Sequence, residues 1–127
     1  MKVALCQIDT TVGDFAGNAR KVMEFASKAA ARGAQLAVFP ELAICGYPPE
    51  DLLLSPGFLK AHDAALNELA ANLPPEIDVL VGCVAPNTAA GSQGGRPLHN
   101  AVALLQDGLV QIVARKSLLP TYDVFDE

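Results

Sequence analysis

The chain has 127 residues, 51% of them hydrophobic and 18% charged, with a formal net charge of −5. That length and balance suit one modest globular domain with a real core and exclude a disordered polymer. Nine Lys and Arg residues are spread along the sequence, so nucleic acid and anionic membrane, which need a concentrated basic face, are not expected as partners.

The opening "MKVALCQID" meets Gln7 and Asp9 too early for a signal peptide, and no run approaches the ~20 apolar residues of a membrane span. Cytoplasmic residence is the expectation. Lys2–Ile8 reads as a short buried strand. "TTVGD" then turns the chain, with Asp14 placed to cap a helix. The period from Asn18 to Arg32 predicts that helix, with Val22, Ala26, Ala29 and Ala30 near one face and many alanines suited to close approach on a sheet.

"AQLAVFP" is the second predicted strand, stopped by Pro40. "GYPPEDLLLSPG" is too proline-rich for regular structure over its first half, although "EDLLL" suits one helical turn. From Phe58 to Leu73 a second helix puts Phe58, His62, Leu66, Leu69 and Leu73 on one stripe, and Pro74–Pro75 ends it. Ile77–Val84 is the third strand. The small, polar "APNTAAGSQGGRPLHN" reads as an exposed loop. "NAVALLQDGLVQIVARK" reads as a hairpin turning at Asp107–Gly108, and "SLLPTYDVFDE" as loop. Strand, helix, strand, helix, strand and hairpin make an α/β fold with a mixed sheet in a single unit.

Glu41 stands just past the C-terminal end of a predicted central strand, where α/β sheets gather ligands. General base and ordinary surface carboxylate are balanced readings of it. Lys116 closes the hairpin; alone, it reads as a solvated strand-end lysine before an oxyanion-stabilising one. Three cysteines with no CxxC or Cys/His spacing predict neither a disulfide framework nor a metal site. Cys6 and Cys83 sit in apolar strand runs as inert thiols. Cys45 is in a loop four residues after Glu41. A carboxylate neighbour raises a thiol's pKa, which favours a small apolar filler, yet a Glu can act as base to a neutral thiol and the pairing stays open. His62 reads as a packed, hydrogen-bonded histidine, and His99 has no partner at metal spacing. "GSQGG" carries no Lys and opens no helix after a strand, so it makes a weak phosphate loop.

Three segments together resemble a known family. "MKVALCQIDTTVGDFAGNARKV" is similar to the opening of the nitrilase, or carbon–nitrogen hydrolase, superfamily. "FPELAICGYPPEDLL" resembles its Glu motif and "ARKSLLPTYDVFDE" its Lys motif. "GYPPEDLL" followed by "KSLLPTYDVFDE" is closer still to the glutaminase domain of the glutamine-dependent NAD synthetases.

The resemblance implies an incomplete αββα sandwich of the nitrilase type, with helices on one face of the mixed sheet. It makes Glu41 the general base, Lys116 the residue that stabilises the oxyanion, and Glu127 a supporting second glutamate. It places Tyr122 and Phe125 in a glutamine pocket, with Tyr47 nearby. The family's nucleophilic cysteine lies on a strand after the Lys motif, and none of Cys6, Cys45 or Cys83 occupies that place.

Residues 1–127 are therefore expected to form the N-terminal half of a carbon–nitrogen hydrolase domain, inactive as given. The remainder of that domain and any synthetase domain are expected to lie outside these residues. The glutaminase part needs no cofactor, and ATP and Mg belong to that synthetase domain. The full-length relative would hydrolyse glutamine to supply ammonia for ATP-dependent amidation of nicotinic acid adenine dinucleotide to NAD. The rival expectations are a fragment of another amidase of the superfamily, a non-catalytic binding or assembly module, and Cys45 as a substitute nucleophile. The last hairpin strand presents an open apolar edge, so a homo-oligomer is expected.

Overall fold

Helix α1 (Phe15–Ala31) starts as soon as the sequence offers a cap: Asp14 Oδ1 accepts from the Gly17 N–H at 3.0 Å. The helix thus begins three residues before the periodic stretch that announces it. Its inner face is Val22, Ala26 and Ala29, all buried. The computed structural model describes residues 1–117 and, as backbone only, Thr121–Tyr122 and Phe125–Asp126.

Five strands form one sheet in the order β1 (Val3–Leu5), β2 (Leu36–Val38), β3 (Asp78–Pro86), β4 (Leu98–Gln106), β5 (Leu109–Arg115). The first three run parallel, as the helical crossovers require, and β4 and β5 add antiparallel. The mixed α/β sheet expected from the sequence is therefore present. Strands β3 and β4 reach further than their apolar runs, because Ala85 and Pro86 pair with His99 and Leu98 out of the segment read as loop. The β4–β5 turn places Asp107 at φ 53° and Gly108 at φ 76°, the paired positive angles of a tight hairpin. The segment read as terminal loop contains a two-by-two ladder, β6 (Thr121–Tyr122) with β7 (Phe125–Asp126). Strands that short carry no readable period.

The sheet's two faces differ. Ala37, Val79, Val81, Cys83, Ala101, Ala103 and Leu105 face α1 and helix α2 (Pro56–Asn72), which contributes Leu66, Leu69 and Ala70 to one core. Pro56 takes the first helical position of α2, where its missing N–H costs nothing. Strand alternation sends Leu36, Val38, Leu80, Val102 and Leu104 to the opposite face, where they stay half-exposed. No helix among the described residues is long and apolar enough to cross a membrane. Within this sheet β1 and β5 are both edges; the open edge at β5 matches the sequence reading, and the one at β1 is additional.

Candidate active site

The chain leaves β2 at Val38 and crosses over β3 before it can descend. Phe39 N–H donates to Leu80 O at 2.9 Å, Gly82 N–H to Pro40 O at 3.2 Å, and Ile44 N–H to Gly82 O at 3.4 Å. Those bonds lay Pro40–Leu42 directly on Gly82. A Cβ at Gly82 would stand 2.3 Å from Leu42 N and 2.4 Å from Pro40 O, so only glycine admits this crossing. Immediately after Glu41, Leu42 takes φ 49°, a left-handed angle that an L residue adopts at a cost of about 1–2 kcal/mol. That angle turns the apolar Leu42–Cys45 segment inward.

The burial of this segment holds Glu41 at the surface. Leu42, Ala43, Ile44 and Cys45 are all buried. Their backbone groups are satisfied from two sides: Gly46 N–H donates to Leu42 O at 2.8 Å, and Gly13 N–H to Cys45 O at 2.9 Å. Asn18, fully buried on α1, donates from Nδ2 to both Thr11 O and Ile44 O, while its Oδ1 accepts from the Thr11 N–H. The polar network is complete, and Glu41 is the side chain it leaves pointing out of the fold.

Lys116 arrives from the other end of the sheet. Its Nζ donates to Glu41 Oε1 at 2.9 Å, and its backbone N–H to Asn100 O at 2.8 Å. How it reaches the right face is a matter of register. Leu105 pairs with Val110 and Ala103 with Ile112, so Val110 and Ile112 face the helices. Strict alternation would then send Ala114 and Lys116 to that face as well. The ladder instead slips between Val102 and Ala103, with Val102 opposite Ala114, and Val113 left without a partner. This bulge turns Ala114 and Lys116 to the face opposite the main core, which carries Gly82, Asn100 and Val102.

Asn100 completes the group, its Nδ2 donating to the same Glu41 Oε1. Glu41, Asn100 and Lys116, with Phe39, Gly82 and Val102, line an open cleft of about 340 Å³, at the small end for a small-molecule site. A carboxylate that accepts from an ammonium and an amide can take a proton from an incoming acid, and the ammonium can stabilise an oxyanion formed beside it.

The cysteines lie elsewhere. Cys45, which a loop position left open to exposure, is fully buried in a cluster with Leu42 and Val84. Its Sγ donates to Gly46 O at 3.4 Å, and burial pushes the thiol up to about 11. Burial likewise pushes Cys83 up to about 12, with the nearby Cys45 and Asp63 adding to the effect, and raises Cys6. None of the three lines the cleft. His62 is buried as the apolar stripe predicted. Its Nε2 accepts from the Val84 N–H at 3.2 Å and its Nδ1 lies 2.9 Å from Asp63 Oδ1, which fixes the neutral tautomer with the proton on Nδ1.

Tyr47 packs on the Leu42–Cys45–Val84 cluster and is not among the cleft's lining residues. Tyr122 and Phe125 are paired with each other in the β6–β7 ladder, described as backbone, and Glu127 lies outside the described residues. Sequence reasoning missed Asn100, Gly82 and the Val113 bulge. A glycine inside the apolar run "IDVLVGCV" is a signal of close backbone approach and could have marked Gly82. Asn100 and the bulge gave none.

Residues 2–126 match the family model described as carbon-nitrogen hydrolase. The chain belongs to the carbon–nitrogen hydrolase family. Within it, the chain is 48% identical over 125 residues to the glutamine-dependent NAD(+) synthetase of Synechocystis, and 40% identical over 128 residues to that of Thermotoga maritima. These alignments cover 98% and 100% of the chain but only 22% and 21% of the relatives, so the chain spans about a fifth of their length.

Among solved structures, the Acinetobacter baumannii glutamine-dependent NAD+ synthetase, in complex with ADP, superposes with a TM-score of 0.83 at 36% identity. That match covers 98% of this chain and 22% of the other. The C145A mutant of the Nesterenkonia AN1 amidase from the nitrilase superfamily gives 0.75 at 24% identity over 94% and 44%, which shows a shared fold.

Proposed function

We propose that the chain is the N-terminal portion of a glutamine amidohydrolase domain and supplies its general base and oxyanion-stabilising lysine. The observation that carries this reading is the 2.9 Å contact between Lys116 and Glu41 in the cleft, in a chain whose relatives are named glutamine-dependent NAD(+) synthetases. The nucleophile would be a thiol other than Cys6, Cys45 and Cys83, brought to the cleft by the remainder of the domain.

The chemistry follows from the cleft. Glu41 takes the proton of that thiol, the thiolate attacks the amide carbon of glutamine, and Lys116 stabilises the oxyanion of the tetrahedral adduct. Its collapse expels ammonia, which carries off the proton held by Glu41. Glu41 then takes a proton from water, and the hydroxide cleaves the thioester to a carboxylic acid and a thiolate. Glu41 returns its proton to the thiolate, and the new carboxyl loses its own to solvent, leaving glutamate.

In the parent protein the ammonia would serve ATP-dependent amidation of nicotinic acid adenine dinucleotide to NAD. Among the described residues, no group of three or more His, Cys, Asp and Glu side chains is placed to hold a metal ion. ATP and Mg are assigned to a separate synthetase domain.

Ammonia release from L-glutamine is the test. The parent protein is expected to release it, the 127-residue chain is not, and Glu41→Gln is expected to stop the release. Release by the chain that disappears in Cys45→Ala would overturn the assignment of the nucleophile. Turnover of a different amide, but not of glutamine, would replace the substrate.

A further inference from the structure

We propose that Asn100 is a positioning residue for the base, fixing which oxygen of Glu41 receives the proton; the inference rests on the reading of Glu41 given above. Both donors that reach Glu41, Lys116 Nζ and Asn100 Nδ2, converge on Oε1, and among the described residues no donor reaches Oε2. Oε2 is therefore the oxygen presented to an incoming acid. The amide's orientation follows from chemistry, since against a carboxylate oxygen only the NH₂ end of Asn can make the bond.

Lysine alone would hold the carboxylate loosely. Its ammonium rides on a flexible four-carbon stem, and the pair is well exposed to solvent. Asn100 is a short side chain on a strand clamped from both sides. It pairs with Val84 on β3, which is itself held by the His62 imidazole, and its carbonyl accepts from the Lys116 N–H. One residue thus fixes both partners of the base–lysine pair, through its amide to Glu41 and its carbonyl to Lys116. Its side chain reaches Glu41 across 59 residues of sequence, so the contact is tertiary and serves no turn or cap.

The test compares Asn100→Ala and the isosteric Asn100→Asp with Glu41→Gln in the parent protein, reading ammonia release from glutamine. Loss of a hydrogen bond to a charged group predicts a fall in kcat of about 10- to 100-fold for Asn100→Ala, with KM changed less than about twofold. Asn100→Asp keeps the shape but sets a second carboxylate against Glu41. Its loss is expected to be larger at pH 8 than at pH 6, because only the protonated acid can donate.

A purely structural role would give equal losses at the two pH values. In the 127-residue chain, the Asn100 side-chain NH₂ resonance is expected to move in Glu41→Ala and to stay put in Glu50→Ala. Unchanged kcat in both Asn100 variants, a change in KM alone, or an immobile NH₂ resonance would each overturn the role of Asn100 while leaving Glu41 as base. Full activity in Glu41→Gln would overturn the reading of the base itself.

Discussion

Lys116 Nζ stands 2.9 Å from Glu41 Oε1, although 75 residues separate them in the chain. Their side chains retain 34% and 45% exposure, and an ion pair in that setting contributes only about 0.2–1 kcal/mol to folding. The contact is therefore cheap to remove structurally, while the proposed mechanism makes it costly to remove chemically. Lys116→Ala should leave the urea-unfolding free energy of the chain within about 1 kcal/mol of the parent value. In the full-length protein it should lower ammonia release by about 10²–10³-fold, the scale of a lost oxyanion donor. A loss of several kcal/mol of stability with activity intact would reverse this assignment.

The bulge on β5 predicts that the pairing beyond Val113, and not Val113 itself, sets the face of Lys116. Val113 is exposed and unpaired in the ladder, so Val113→Thr should change stability by less than about 0.5 kcal/mol and leave activity unaffected. Deleting Val113 removes the bulge but keeps Ala114 opposite Val102 and Arg115 opposite Ala101, so Lys116 stays on the face of Glu41. Activity should then remain well above that of Lys116→Ala. A deletion variant as inactive as Lys116→Ala would show that the bulge itself, and not the pairing beyond it, places the lysine.

These two features mark the limit of what the sequence discloses. Local chemistry was readable: the Asp14 cap, the Val22–Ala26–Ala29 face, the Asp107–Gly108 turn and a glutamate just past a strand that a proline stops. Each is written within a few residues. The site is not local. Asn100 sits in a run that reads only as the start of a hairpin strand, and its meaning depends on a contact with a loop 59 residues earlier. The bulge breaks the period-two rule that would be used to assign Lys116 to a face, so pattern reading alone gives the wrong side. Burial of Cys45 was equally hidden, since its loop is covered by side chains of α1, α2 and β3 together.

Gly82 makes a third prediction. An added methyl would sit within 2.7 Å of the Pro40–Leu42 backbone, and backbone cannot swing aside as a flexible side chain can. Gly82→Ala should cost about 1–3 kcal/mol in urea unfolding and displace Glu41 from Asn100 and Lys116, lowering turnover. Gly91, with nothing within 4 Å of its added Cβ, is the matched control, and its Ala variant should change neither quantity. Equal behaviour of the two variants would remove the argument for a close crossing.

Asn18 should prove the most expensive polar side chain to truncate. It is fully buried and serves the Thr11 N–H, Thr11 O and Ile44 O. Asn18→Ala leaves those groups without it, and a single buried unsatisfied group costs about 1–3 kcal/mol. The loss should therefore exceed that of Asn67→Ala, whose amide bonds Asp63 O on an exposed helix face. Thermal unfolding of both variants measures the difference. An Asn18 variant no weaker than the Asn67 one would mean that the Thr11 and Ile44 loops are held by other contacts.

The buried thiols are expected to weaken the fold at alkaline pH. Desolvation, the leading cause at both sites, pushes Cys45 up to about 11 and Cys83 up to about 12, from an ordinary value of 9.0. In the unfolded chain these thiols ionise near 9, while the folded protein keeps them protonated. Between pH 9 and about 11 the unfolded state therefore binds fewer protons than the native one, and stability falls as pH rises. The contribution is fully present below pH 9. It is lost progressively above, at no more than ~1.4 kcal/mol per pH unit for each thiol. Urea midpoints from pH 7 to 10.5 should be level and then decline, and Cys45→Ala with Cys83→Ala should flatten the decline whatever they do to absolute stability. A thiol reagent at pH 8 should react with the three cysteines far faster in urea than in buffer. Rapid native-state labelling of Cys45, together with a slope indifferent to its removal, would put an accessible thiol beside Glu41 and return Cys45 as a nucleophile.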